Sequence, residues 1–324
     1  MIPLRTTIQS RNYPIVTTII ISLNVLFFFL TPARGPELSQ FLATYGLVPA
    51  RYSTPEIASY FGFGQQAFVF LSFMFLHGGF WHLLGNMWSL YIFGDNVEDR
   101  LGSLRYLVFY LLCGWASGGT HLVMNWHSRI PTIGASGAIA GVMGAYLLLY
   151  PRSRILTLIP IFFIPYFMEI PAFFFLGFWF FLQFLNAAGT HAQTSGIAWW
   201  THIGGFLFGM AFLKILLKIP EVGVTSQVRR MMPKRKTPHL QVIRPTGSGD
   251  DPHLYGQIKV TPKEAISGAR KLVNIPWGFH KRLFRINIPS GVSHGTVLRL
   301  AGMGREMSEG QGGDLYLKVL IGPQ

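Results

Sequence analysis

The sequence predicts an all-α polytopic membrane domain, a bundle of six helices, followed by a small all-β sandwich. Three observations lead there. Half of the 324 residues are hydrophobic and only 12% are charged, against about 25% in an ordinary soluble domain. The shortage is confined to residues 13–218, which hold long apolar runs, whereas 219–324 reads as soluble sequence. Finally, the polar residues inside those runs are of few and reactive kinds.

Taken in order, Ile15–Leu30 is the first span, with Tyr13 as an interfacial anchor. No small-residue cleavage site follows it, so it reads as a retained span rather than a signal peptide. Residues 31–66 mix Pro, Gly, Ser and aromatics and are expected to form a long loop at the membrane surface. Ala67–Leu76 is apolar but too short to cross, which points to an interfacial or re-entrant piece. Phe80–Phe93, Leu104–Val123 and Ile133–Tyr150 follow as spans two to four. Pro160, Pro165 and Pro171 interrupt the next stretch, so 155–170 reads as a broken interfacial segment. Ala172–Asn186 and Ala198–Leu217 are spans five and six.

The net charge of +14 does not point to nucleic acid. Arg229, Arg230, Lys234, Arg235 and Lys236 sit just past the last apolar run, where anionic headgroups favour them. The tail has no RNA-binding aromatic signature and no zinc spacing. Cys113 is the single cysteine, so no internal disulfide or cysteine cluster forms, and neither metal nor cofactor is expected. Placing both termini in the cytoplasm puts Arg5, Arg11, Arg100, Arg105, Arg152, Arg154 and the basic cluster inside. Arg34, Arg51 and Arg129 then remain outside, as the positive-inside rule favours. A bacterial inner membrane is the expected location.

Gly134-Ala135-Ser136-Gly137-Ala138 opens the fourth span and leaves a hydroxyl among residues too small to cover it. Small residues also serve tight helix packing, so a nucleophile reading needs a base at the same depth. His202 supplies one. With 155–170 kept out of the membrane, both residues lie about four residues, roughly 6 Å, inside the outer end of their spans. Gly205 and Gly209 follow His202 at the spacing of a close-approach face. His82 and Asn86, four apart on one face of span two, offer two donors at that depth, fit for an oxyanion hole or for gluing helices together. No acidic residue is placed to orient His202, so a Ser-His dyad is expected.

Four motifs now stand in order: His82-x-x-x-Asn86, Gly94-x-x-x-Glu98-x-x-x-Gly102, Gly134-x-Ser136-Gly137 and His202-x-x-Gly205-x-x-x-Gly209. On these the chain resembles the rhomboid intramembrane serine proteases over about residues 10–218. The resemblance implies Ser136 as nucleophile and His202 as general base. It implies His82, Asn86 and the Ser136 amide as the oxyanion hole, and Glu98 as a structural residue tying down the loop after span two. Membrane-protein substrates and the lipid bilayer are the implied partners. Two departures stand out. Relatives often carry an aromatic four residues after the serine, where this chain has Ala140, leaving Tyr146 or Trp200 to orient the imidazole. The 31–66 loop also lacks the Trp-Arg pair seen in many relatives. A catalytically silent rhomboid-like protein that binds membrane clients is the rival reading, although such proteins usually lack the serine or the histidine.

The remainder divides into a basic, Pro/Gly-rich linker, 219–254, and a domain over 255–324. Short strands are expected at 257–260, 282–288, 296–300 and 314–320, separated by Gly and Pro turns. Val260-Thr261-Pro262-Lys263-Glu264-Ala265-Ile266, Ile288-Pro289-Ser290-Gly291-Val292, Leu298-Arg299-Leu300-Ala301-Gly302 and Gly313-Asp314-Leu315-Tyr316 resemble the substrate-binding C-terminal domain of DnaJ-type co-chaperones. That resemblance implies binding of unfolded, extended polypeptide. No His-Pro-Asp is present, so no Hsp70 recruitment is implied.

Overall fold

The computed structural model describes residues 1–161, 164–189, 199–220, 241–243, 245–247, 251–275, 283–305 and 312–322. The basic cluster Arg229–Lys236 and most of the linker lie outside them. The chain divides into two compact units: Pro3–Thr157 with Glu169–Arg235, and Lys236–Gln324 with Met1–Ile2 and Leu158–Met168.

The larger unit is helical. After strand β1 (Ile2–Thr6), helix α1 (Ile15–Leu30) is followed by α2 (Gly35–Tyr45), α3 (Ala50–Ser53), α4 (Pro55–Ala58) and α5 (Phe63–Ser72). The region expected to be a plain loop therefore carries short helices. Arg51, buried there, donates to the Thr44 carbonyl and lies 3.7 Å over the Phe61 ring. Then come α6 (Phe80–Leu101), α7 (Ser103–Met124) and α8 (Ser136–Leu149). The α5 stretch and α6 meet at 83°, a bent pair rather than one straight span. Helices α9 (Ala172–Gly189) and α10 (Trp199–Lys218) complete the unit.

Among the described residues, α7, α9 and α10 are each long and apolar enough to cross a membrane. Helices α1 and α8 are apolar but shorter. Helix α8, at 14 residues, is only about 21 Å long. Its length is tolerable because Gly137–Tyr146 is buried on every side by neighbouring helices rather than lipid.

The 155–170 segment, expected as a broken interfacial piece, is built of strands rather than broken helix. It forms strands β2 (Arg154–Ile161) and β3 (Ile164–Pro171), in a three-stranded sheet of order β1-β2-β3. The prolines disfavour helix, and Pro165 and Pro171 fall on the edge strand β3, where proline is tolerated. Span two also runs past its expected end at Phe93 to Leu101. Hydropathy falls there because of Asp95, Asn96, Glu98, Asp99 and Arg100, yet the Glu98 carboxylate is buried and fully engaged. It accepts from the Val16 amide at 2.9 Å, the Thr17 amide and hydroxyl at 2.8 Å each, and the Ser103 hydroxyl. Glu98 thus caps the start of α1, satisfying amides that have no partner within their own helix, and bridges the turn into α7. That turn rests on Gly102 at φ +80°, a left-handed conformation suited to glycine. A Cβ on Gly94 would lie 2.7 Å from the Tyr106 hydroxyl and 3.1 Å from Thr17 Oγ1, so this glycine lets α1 approach. Replacing Glu98 by alanine strands two buried amides and is expected to cost about 3 kcal/mol. Denaturant unfolding in detergent checks this, and an unchanged midpoint would contradict it.

The second unit holds two three-stranded sheets, in line with the sandwich the sequence predicts. One has the order β4 (Gln241–Val242), β6 (Ala269–Asn274), β7 (Leu283–Ile288); the other has β5 (Leu254–Val260), β9 (Leu315–Ile321), β8 (Val297–Leu300). Their inner faces share one core, including Val273, Ile286 and Ile288 from the first and Leu254, Ile258, Leu317 and Val319 from the second. Between β5 and β6, the short helix α11 (Pro262–Ser267) opens with a capping box between Thr261 and Glu264. Strand β6 went unread in the sequence because it carries Arg270 and Lys271. The Lys271 side chain is buried, yet its ammonium donates to the Lys259 carbonyl at 2.7 Å and pairs with Glu264 at 2.9 Å. Burial works against the Glu264 charge, but the Thr261 amide and the Lys271 ammonium hold its carboxyl below the ordinary value.

Candidate active site

Helices α8 and α10 pack through glycine. A Cβ on Gly205 would collide with the Gly137 carbonyl oxygen, one on Gly209 with the Gly141 oxygen, and one on Gly144 with the Phe206 oxygen. The backbones therefore touch directly along the seam. Cys113, buried on α7, packs against Gly141 and behaves as a small apolar residue.

This seam carries Ser136 and His202. Ser136 is the first residue of α8 rather than the fourth, because Gly134, at φ +124°, turns the chain just before the helix. His202 is the fourth residue of α10. The structure brings the pair together: Ser136 Oγ lies 2.8 Å from His202 Nε2.

His82 and Asn86, on the first two turns of α6, converge on the same place. A Cβ on Gly134 would lie 2.8 Å from His82 Nε2 and 3.7 Å from Asn86 Nδ2, so both side chains end beside the backbone leading into Ser136. His82 Nδ1 accepts from the Gly78 amide at 3.4 Å, which leaves the proton on Nε2, facing inward. Asn86 Nδ2 is buried with no hydrogen-bond partner among the described residues, a donor held ready at a cost. Gly78, His82, Asn86, Gly134, Ser136, Trp179 and His202 line a cleft of about 650 Å³.

Ring packing on His202 departs from the expectation. Tyr146 bonds Ser153 at 2.9 Å and packs on Phe93, so it does not orient the imidazole. Trp179 of α9 lies against the His202 ring at 5.8 Å, and Trp199, not Trp200, meets it edge-on at 6.1 Å. Gln183, one helical turn beyond Trp179, places Oε1 at 2.8 Å from His202 Nδ1. Sequence reasoning missed both α9 residues. The signal available was an amide four residues after a tryptophan, in a span otherwise rich in phenylalanine. Two further histidines of this unit are buried. His77 is buried against the His82 ring at 5.0 Å, and His121 is buried at the end of α7, where Nε2 lies 2.7 Å from Thr132 Oγ1.

Residues 64–219, which run from α5 through α10 and hold every residue just described, match the Rhomboid domain model. The chain contains a rhomboid domain. Residues 253–324 match the DnaJ C terminal domain. Rhomboid protein 1, mitochondrial, of Saccharomyces cerevisiae is 27% identical over 205 residues, covering 60% of this chain and 51% of that protein. RHOMBOID-like protein 6, mitochondrial, of Arabidopsis thaliana is 34% identical over 160 residues, covering 49% and 47%. Rhomboid protease GluP of Bacillus subtilis is 30% identical over 148 residues, covering 44% and 26%. The chain thus spans about half the length of the first two relatives. The rhomboid domain here is that of a membrane protein, with its apolar helices arranged around the serine–histidine cleft.

Proposed function

We propose that this protein is an intramembrane serine endopeptidase working by a Ser136–His202 dyad. The observation that carries the reading is the 2.8 Å contact between Ser136 Oγ and His202 Nε2 at the floor of the cleft. A substrate span must unwind locally before attack, because an intact helix engages its own carbonyls. Ser136 Oγ then bonds to the carbonyl carbon while His202 Nε2 takes the hydroxyl proton. The oxyanion receives hydrogen bonds from His82 Nε2–H, Asn86 Nδ2–H and the Ser136 amide. That amide heads α8, has no partner within the helix and sits at the positive end of its dipole. Collapse of the tetrahedral intermediate breaks the C–N bond, and His202 returns the proton to the leaving amine. Water, deprotonated by His202, hydrolyses the acyl-enzyme and regenerates the Ser136 hydroxyl.

The distribution of Lys and Arg supports cytoplasmic termini, with the cleft opening toward the opposite face of a bacterial inner membrane. For the β-sandwich unit, the reading is capture of extended polypeptide. A groove of about 650 Å³ beside the stacked Tyr255 and Tyr316 rings, with Ile243 and Val297 in its lining, favours it.

The test is incubation of detergent-purified protein with a labelled membrane-span polypeptide and, separately, with a fluorophosphonate. Wild type is expected to cleave the first and to be modified by the second at Ser136, and Ser136→Ala to do neither. Undiminished cleavage by Ser136→Ala would remove the dyad, and a wild type that neither cleaves nor reacts would favour a client-binding role instead.

A further inference from the structure

The base of the dyad has a third partner whose role follows from which atoms can donate. Gln183 Nε2 lies 3.1 Å from the Trp179 carbonyl oxygen, one turn back on the same helix. A carbonyl can only accept, so this contact fixes which end of the amide is nitrogen. The other end, Oε1, can also only accept, and it faces His202 Nδ1 at 2.8 Å. The proton therefore resides on Nδ1, and Nε2 presents its lone pair to the Ser136 hydroxyl 2.8 Å away. One backbone carbonyl on α9 thus sets the direction of the whole run, Trp179 C=O, Gln183, His202, Ser136. Gln183 is buried, so water competes little for either end of its amide.

From this we infer that Gln183 is a positioning residue that locks His202 in the tautomer able to accept the Ser136 proton, and that this α9 amide takes the orienting place an acid holds in a triad. The inference rests on the dyad reading above. During attack the hydroxyl proton passes to Nε2, the Nδ1 proton stays bonded toward Oε1, and the amide takes up no proton. An amide stabilises the imidazolium by its dipole alone, less than a carboxylate would. Trp179 and Gln183, four apart, hold the ring from its face and its edge.

Two variants test it. Gln183→Met keeps length and helix propensity but removes the acceptor, and Gln183→Glu keeps an acceptor. With a labelled membrane-span substrate, Gln183→Met is expected to lower kcat about 10-fold with KM within about twofold, and Gln183→Glu to retain most of the activity. In protein carrying 15N-labelled histidine, with the His202 signals identified by their loss in His202→Ala, wild type is expected to show protonated Nδ1 and bare Nε2. Gln183→Met is expected to show a mixture of tautomers. Unchanged kcat in Gln183→Met, an equal loss in both variants, or a His202 tautomer that ignores position 183 would each overturn the inference. The tautomer measurement needs no turnover. A wild type that cleaves nothing yet shows the Gln183-dependent tautomer would defeat the dyad's activity while leaving the role of Gln183 standing.

Discussion

Replacing His202 with alanine is expected to lower kcat on a membrane-span substrate about 10,000-fold while KM stays nearly constant. The imidazole lies against Ser136 Oγ at 2.8 Å, and it does its work as the proton moves, not when substrate docks. Without it, Ser136 must attack as a neutral alcohol, a weak nucleophile at neutral pH. The oxyanion donors His82 and Asn86 remain, so some acceleration over water should persist. Combining His202→Ala with Ser136→Ala should cost scarcely more than either alone, because the two residues act as a unit. Steady-state kinetics in detergent, with circular dichroism to establish that the helices persist, decides the matter. A His202→Ala enzyme within tenfold of wild type would mean that the base lies elsewhere.

The second large effect belongs to the seam. Gly205→Ala is expected to lower stability by about 3 kcal/mol and kcat by about 100-fold. Its new methyl would run into the Gly137 carbonyl oxygen, which is backbone and cannot swing aside. The helices must part, and the parting falls directly on the Ser136–His202 contact. Gly119→Ala on α7 and Gly177→Ala on α9 serve as controls, since a Cβ at either meets nothing within 4 Å. Both should be near neutral. Thermal unfolding and kcat measured side by side check this, and equal behaviour of all three variants would show that the seam is not tightly packed.

The sequence made the bundle legible wherever burial and polarity agree. Ile15–Leu30 is legible to the residue because it holds no charged side chain and Pro14 and Pro32 bracket it. Ser136 and His202 were legible as a pair because each is a reactive side chain in the first turn of an apolar helix. Features that depend on distant partners were not legible. The hairpin of β2 and β3 pairs with β1, well over a hundred residues earlier, so local pattern could not show it. Helix α6 outran its apolar run because Glu98 finds its donors at the start of α1. Strand β6 was obscured by Lys271, whose charge is answered by Glu264 on the preceding helix. Gln183 looked like an incidental amide until α9 was laid against α10.

The glycine contacts between α8 and α10 bear on how the rhomboid domain tolerates its surroundings. The spacing of Ser136 and His202 is inherited from main-chain atoms in van der Waals contact, not from adjustable side-chain rotamers. Changes of lipid thickness or temperature should therefore register first in helices held by larger, softer side chains, while the reactive pair keeps its alignment. Sequence drift on the lipid-facing surface should be cheap for the same reason, because that surface takes no part in setting the distance at which the chemistry begins.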